Sequence, residues 1–385
     1  MAKRTRLALT AAALVPLSVF AAACSSSGSP SSSSSSPAAA KMVGAALPAS
    51  PDKTATTITE TGSSLLYPLM GAWTAAYQKQ FTDSSGKLPL VTIETGSTGS
   101  GTGITDASTG TINIGASDAY LSSSDMQTYP SMVNIALAIS AQQVNYNLPG
   151  IKNLKLDGTV LAQIYSGKIT KWNDPAIKAL NPSAPLPSLT IVPLHRADSS
   201  GDTFLFTSYL NAQDSSGWSS SNVGTTVSWP SVSGALAETG NGGMVSGCGA
   251  TKGCIAYIGI SYLQKSQAAN LGEAVLKNAT GQFESPTPAT ISAEANAVAG
   301  KTPANETLSM INANAPGGYP IVNYEYAIVN TKQTNGIVAE DIRAFLHWVV
   351  HTGQSGSNYL DAVNFQPLPS AVVTLSDNQI SKIGA

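Results

Sequence analysis

The chain is 385 residues long, with 11% charged side chains and 20 basic residues set against 22 acidic ones. No stretch has the density of Lys and Arg that a nucleic-acid surface demands, so nucleic acid is excluded as a partner. The length exceeds a single core and implies two lobes, and the abundant Gly, Ser and Thr suit an exported protein with many polar turns.

Lys3, Arg4 and Arg6 precede an apolar run from Leu7 to Ala23 that is broken by Pro16 and ends in small residues. Residues 1–23 therefore read as a secretory signal peptide, marginal in length for a spanning helix. Cys24 follows Ala21-Ala22-Ala23, like the acceptor cysteine of a lipoprotein, although a bulkier aliphatic residue is more usual at the place of Ala21. A diacylated Cys24 would be the mature N-terminus, anchored at the outer face of the cell membrane, with residues 24–54 as a Ser-rich tether unable to bury a core. Without Lys3, Arg4 and Arg6, 17 basic residues face 22 acidic ones, a formal charge of −5. An anion bound by such a chain must be held by local dipoles rather than by the overall field.

Thr56–Glu60 reads as a strand, and Leu65–Phe81 as a helix with Leu65, Leu69, Trp73, Tyr77 and Phe81 at helical spacing. Leu90–Thr95 is a second strand, followed by a Gly-rich turn over 96–103 and a short helix over Ile104–Ser108. Ile112–Ala116 is a third strand, ending at Ser117-Asp118, and Asn134–Asn147 is a β run long enough to cross between lobes. Val160–Tyr165 begins a helix and turn; Ile191-Val192 ends a strand whose polar turn opens a helix at Asp202. Tyr319–Asn330 reads as a second crossing strand, and Val338–His351 as a helix before the tail. Strands alternating with helices argue an α/β fold.

Cys248 and Cys254 stand in a Gly-rich loop, GCGATKGC, and read as a local disulfide, since no further metal ligands are near in sequence. His347 and His351 share one helix face in HWVVH, but Trp348 stands where a zinc-protease helix carries Glu. Both histidines read as packing or surface residues, and no metal or cofactor is expected.

Three turns share one design of strand, Gly/Ser turn and helix start: Gly62-Ser63-Ser64-Leu65, Gly99 to Gly103, and Ser199-Ser200-Gly201-Asp202. The glycine spacing of the middle turn fits no dinucleotide fingerprint, and no Lys follows as a phosphate-binding loop requires. Helix N-termini with free amides, three times over and with Arg196 beside them, suit a small tetrahedral oxyanion. Asp118 sharpens this, because an ionised carboxylate only accepts hydrogen bonds. It repels a fully ionised sulfate but accepts the proton that phosphate still carries, and so selects by penalising the wrong ligand.

GSSLLYPL (Gly62–Leu69), GSTGSGTGI (Gly96–Ile104), NIGASDAYLS (Asn113–Ser122), YSGKITKWNDPAI (Tyr165–Ile177) and HRADSSGDTFLFTSYL (His195–Leu210) resemble the PstS family, solute receptors of the high-affinity phosphate ABC importer. The resemblance runs from about Thr56 to the C-terminus and is nearest to actinobacterial lipoproteins. It implies a two-lobed periplasmic-binding-protein (type II) architecture, each lobe a mixed sheet flanked by helices, joined by crossing strands near Ala138–Val144 and Ile321–Tyr326. Residues 55–139 with 322–385 would form the first lobe and 140–321 the second. The same resemblance implies phosphate ligands at Ser63, Ser64, Leu65, Ser100, Asp118, Arg196, Ser200, Gly201 and Asp202, with Asp198 steadying Arg196. It further implies a membrane permease and its ATPase as partners. Many family members have Thr in place of Asp202; an inward-pointing Asp202 would be a second acceptor and favour the doubly protonated ligand.

Three rival readings are weaker. His195, Asp198 and Ser200 are the residue types of a hydrolase triad but lie within six residues, too close for His to bridge, and no G-x-S-x-G elbow occurs. A receptor of the same fold for sulfate or molybdate would lack a reason for Asp118. A surface adhesin is compatible only as a second role.

Overall fold

The computed structural model describes residues 46–384; the signal peptide, Cys24 and most of the expected tether lie outside them. The end of that tether is already part of the folded body. Leu47 packs on the core, the Asp52 amide donates to Asp341 Oδ1 at 2.8 Å, and the Thr56 hydroxyl donates to Asp341 Oδ2.

In chain order the first lobe is built from β1 (Thr56–Gly62), α1 (Tyr67–Gln80), β2 (Val91–Thr95), α2 (Ser100–Thr109), β3 (Ile114–Ser117), α3 (Ser123–Thr128) and the first part of β4 (Met132–Tyr146). The chain then forms β5 (Lys155–Leu156), α4 (Gly158–Tyr165), α5 (Pro175–Leu180), β6 (Val192–Arg196), α6 (Gly201–Gln213), β7 (Leu236–Glu238), α7 (Gly240–Ala250) and β8 (Cys254–Gly259). After these come α8 (Leu263–Ala268), β9 (Gly272–Glu273), β10 (Val275–Lys277), β11 (Phe283–Glu284) and α9 (Pro288–Val298). The chain returns through β12 (Val322–Asn330), α10 (Gly336–His351) and α11 (Ser370–Ile380).

The main strand order is β2-β1-β3-β12-β4-β8-β6-β7, with β9 also on β4. β1, β2 and β3 are parallel, as are β6, β7 and β8, while β12 runs antiparallel to β3 and β4. β4 joins the two halves: Met132–Ala141 pairs with β12, and Gln142–Tyr146 pairs with β8. Nearly every residue of β4 and β12 is buried, as expected of strands covered on both faces. The segment Ala304–Glu306 is hydrogen-bonded to β4 and α11. Gln379 Nε2 donates to the Ala304 carbonyl, Asn134 Nδ2 to the Asn305 carbonyl, and the Ala136 amide to Glu306 Oε2.

Several boundaries differ from expectation for physical reasons. α1 starts at Tyr67, not Leu65, because residues 63–66 form the preceding turn, with Tyr67 N donating to Ser63 O at 3.1 Å, and Pro68 suits the first helical turn. α2 starts at Ser100 rather than Ile104, so half of the Gly-rich turn is helix. A side chain at Gly103 would strike the Thr61 and Ala116 carbonyls; that glycine serves close packing rather than breaking the helix. Cys248 and Cys254 are bonded as expected, Cα–Cα 5.3 Å, but the first lies inside α7 and the second opens β8, so they do not stand in a free loop. No helix among the described residues is long and apolar enough to cross a membrane.

Candidate oxyanion site

The first-lobe half of the site gathers at the C-terminal ends of β1 and β3. Gly62 has φ +147, and any Cβ there would collide with the Ala116 carbonyl, so only glycine lets β1 turn tightly beside β3. The turn sets Ser63 N on Ala116 O at 2.9 Å, while the Ser63 hydroxyl accepts from Leu66 N at 2.9 Å and donates to Asp118 Oδ1. Ser100, the first residue of α2, accepts through its hydroxyl from Asp118 N at 3.2 Å. Asp118 is 2% exposed. Burial, and next the charge of Asp202, push its carboxyl upward, while the Ser63 hydroxyl pulls it back.

The second-lobe half sits where β6 ends. Arg196 donates through Nε to Asp198 Oδ1 at 2.7 Å, through Nη2 to Asp198 Oδ2, and through Nη1 to Asp202 Oδ2 at 2.7 Å. Burial works against the guanidinium charge, but Asp198 and Asp202 outweigh it and keep Arg196 protonated. Burial likewise opposes ionisation of Asp198, yet Arg196 holds its carboxyl below the usual range. Ser200 is the N-cap of α6, and its buried hydroxyl has no partner among the described residues. A Cβ at Gly201 would press on Asp118 and the Ser100 hydroxyl, so the start of α6 meets the first lobe at touching distance.

Asp202 points inward and is fully buried, with its oxygens engaged by protein. Oδ2 takes Arg196 Nη1 and Asn241 Nδ2 (2.7 Å), and Oδ1 takes Gln142 Nε2 (3.1 Å). Burial raises its carboxyl against the pull of Arg196.

Three residues escaped the sequence reading. Asn241 is the second residue of α7; its amide and Nδ2 donate to the Ser64 hydroxyl at 3.1 and 3.0 Å, and its Oδ1 accepts from Gly259 N at 2.7 Å. It is a fourth strand–turn–helix start, masked because β7 is three residues long and its turn lacks Ser. Gln142, on the crossing strand β4, bonds both the backbone and the side chain of Asp202. Glu325, on β12 where the register shifts, is fully buried beside Asp118 and accepts from Ser140 Oγ (2.5 Å) and Asn323 Nδ2 (3.0 Å). Burial, then Asp118, hold its carboxyl well above the usual range. No sequence signal marks the last two, since each lies in a continuous buried run.

The lobes also meet around this cluster. Gly101 N donates to Ser199 O at 3.1 Å, Ser261 Oγ donates to Leu65 O at 2.7 Å, and a Cβ at Gly259 would overlap the Leu65 side chain. Leu65 is thus buried against the second lobe. His195 does not approach Ser200: its ring stacks on Trp229 at 5.0 Å and its Nδ1 lies 3.2 Å from the Arg196 carbonyl.

A family model described as a PBP superfamily domain matches residues 47–352. The phosphate-binding protein PstS of Haemophilus influenzae is 32% identical over 327 residues, 84% of this chain and 92% of that one. PstS of Methanocaldococcus jannaschii is 32% identical over 361 residues, 88% of this chain and 90% of its own. Among solved structures, the phosphate binding protein from Stenotrophomonas maltophilia superposes with a TM-score of 0.62 at 24% identity, covering 84% of this chain and 94% of that one, and shares the two-lobed fold.

Proposed function

The chain belongs to the PstS family of phosphate-binding proteins, and from that premise we propose that it is an extracytoplasmic receptor for inorganic phosphate rather than an enzyme. It delivers its cargo to the permease and ATPase subunits of a phosphate ABC transporter, and a lipid on Cys24 holds it at the membrane. Phosphate meets Ser63, Ser64, Leu65, Ser100 and Asp118 on the first lobe, then Arg196, Ser200 and Gly201 on the second. Asp198 and Asp202 bracket the guanidinium and fix its plane. Rotation is absorbed where β4 passes from β12 to β8, and closure follows from the ligand's higher affinity for the closed state.

The observation that carries this reading is the buried Asp118 carboxylate, facing the helix start at Gly201 with hydroxyls rather than a cation around it. A ligand placed there must bring a hydrogen. A fully ionised tetrahedral anion would leave a buried unpaired charge, at a cost of several kcal/mol or roughly 10³-fold in affinity. Calorimetry with phosphate, arsenate and sulfate tests it. Phosphate and arsenate bind, sulfate does not, and Asp118→Asn narrows the gap by about two orders of magnitude. Equal binding of sulfate by the native chain would turn the reading toward a general oxyanion receptor.

A further inference from the structure

We propose that His347, His351 and Asp377 form a binding site for a borderline divalent transition-metal ion, Zn²⁺ or its neighbours Co²⁺, Ni²⁺ and Cu²⁺, on the outer face of the first lobe. The two histidines lie four residues apart near the end of α10, with ring centroids 4.3 Å apart, and both turn toward one carboxylate on α11. His347 Nδ1 is 2.9 Å from Asp377 Oδ1, and His351 Nε2 is 3.0 Å from Asp377 Oδ2. One ligand atom from each residue lies within 4.8 Å of the other two. Three donors on a tetrahedron of about 2.1 Å radius are separated by roughly 3.4 Å, so small rotations of the three side chains enclose an ion and leave its fourth position to water.

The carboxylate is held in place from behind. The hydroxyl of Ser376, its neighbour on α11, lies 3.0 Å from the Ala136 carbonyl and 2.8 Å from Glu306 Oε1 and donates its one hydrogen between them, fixing that turn of α11 against β4. The side chains are 27%, 45% and 27% exposed for His347, His351 and Asp377, so an ion has access from solvent. Two imidazoles and one carboxylate favour zinc-like metals over Mg²⁺ and Ca²⁺, which prefer oxygen ligands. Arg343 stands one turn before His347 at the same four-residue spacing, so the site does not attract cations by charge; the nitrogen ligands must supply the affinity. The ion would clip α11 to α10 and add to the stability of the folded chain by mass action.

The test is favourable because the chain has three histidines, and the third stacks on Trp229 far along the sequence. Titrate the full chain with Co²⁺ in phosphate-free buffer, follow its d–d absorption, and then displace it with Zn²⁺. One equivalent gives a four-coordinate spectrum, Zn²⁺ raises the melting temperature, and Mg²⁺ does neither. His347→Ala, Asp377→Ala and the double change H347A/H351A each weaken binding by roughly tenfold or more and abolish the thermal shift, while phosphate affinity is unchanged. Undiminished metal binding in the double variant, a spectrum of the free aquo ion, or equal response to Mg²⁺ overturns the proposal.

Discussion

On the first lobe, the turns after β1 and β3 and the start of α2 offer hydroxyls, amides and one carboxylate, Asp118, without a cation. On the second, the turn after β6 offers a guanidinium bracketed by two carboxylates. Both faces use the same strand–turn–helix unit, yet one can reward a ligand's hydrogen and the other its negative charge. Together they set one cation against three carboxylates, of which Asp118 and Asp202 are buried and Asp198 partly so. An anion is therefore held by oriented donors and by its own proton, not by excess positive charge.

The largest effect is expected at Arg196. Arg196→Ala takes the only cation from the fully buried Asp202, which keeps just the Asn241 and Gln142 amides, and from the partly buried Asp198, a loss of roughly 3–5 kcal/mol. Phosphate binding by calorimetry should fall by roughly 10²- to 10³-fold, with a lower melting temperature. Asn241→Ala removes the side-chain bonds to the Ser64 hydroxyl and to Asp202 Oδ2 and leaves only the backbone amide of residue 241 on Ser64. Roughly 1–2 kcal/mol of the closed state is lost, seen as about five- to thirtyfold weaker phosphate binding and a more open form in small-angle scattering.

Asp202→Thr tests whether the second lobe also reads protons. Both Asp202 oxygens are taken by Arg196, Asn241 and Gln142, so this carboxylate, expected from the sequence to be a second acceptor for the ligand, instead holds the guanidinium. Phosphate affinity from pH 5 to 8.5 should therefore follow parallel profiles in the native chain and the variant; a decline steeper by roughly tenfold in the native chain would show that the second lobe reads protons as well. The smallest effect is expected at Glu325. Burial and then Asp118 hold its folded-state carboxyl well above the usual range, which favours the neutral form, and Glu325→Gln should change phosphate affinity at pH 7 by less than about twofold. The sign for stability follows: a raised carboxyl contributes fully below its unfolded value near pH 4.5 and loses that contribution as pH climbs toward the folded value. Denaturant midpoints between pH 5 and 9 should fall less in the variant than in the native chain.

The sequence alone determined a great deal here because much of this architecture is locally encoded. Alternation marked β2, short β-type runs marked β1 and β3, apolar spacing marked α1, and each Gly/Ser turn announced a helix start, since the orphan amides of a first turn need such residues nearby. The pairing of Asp198 with Arg196 was legible for the same reason, since the two lie two residues apart at one strand end; that Asp202 also turns to Arg196 rather than to a ligand was not. Tertiary structure alone decided the contacts between distant parts of the chain. Asn241 reaches Ser64 across 177 positions, Gln142 reaches Asp202 from the crossing strand, and Glu325 comes to lie behind Asp118. Asp377 turns two apparently idle histidines into a converging triad. No local pattern foretells such pairs, because the path of β4 and β12 between the lobes, not the neighbouring residues, sets which side chains meet.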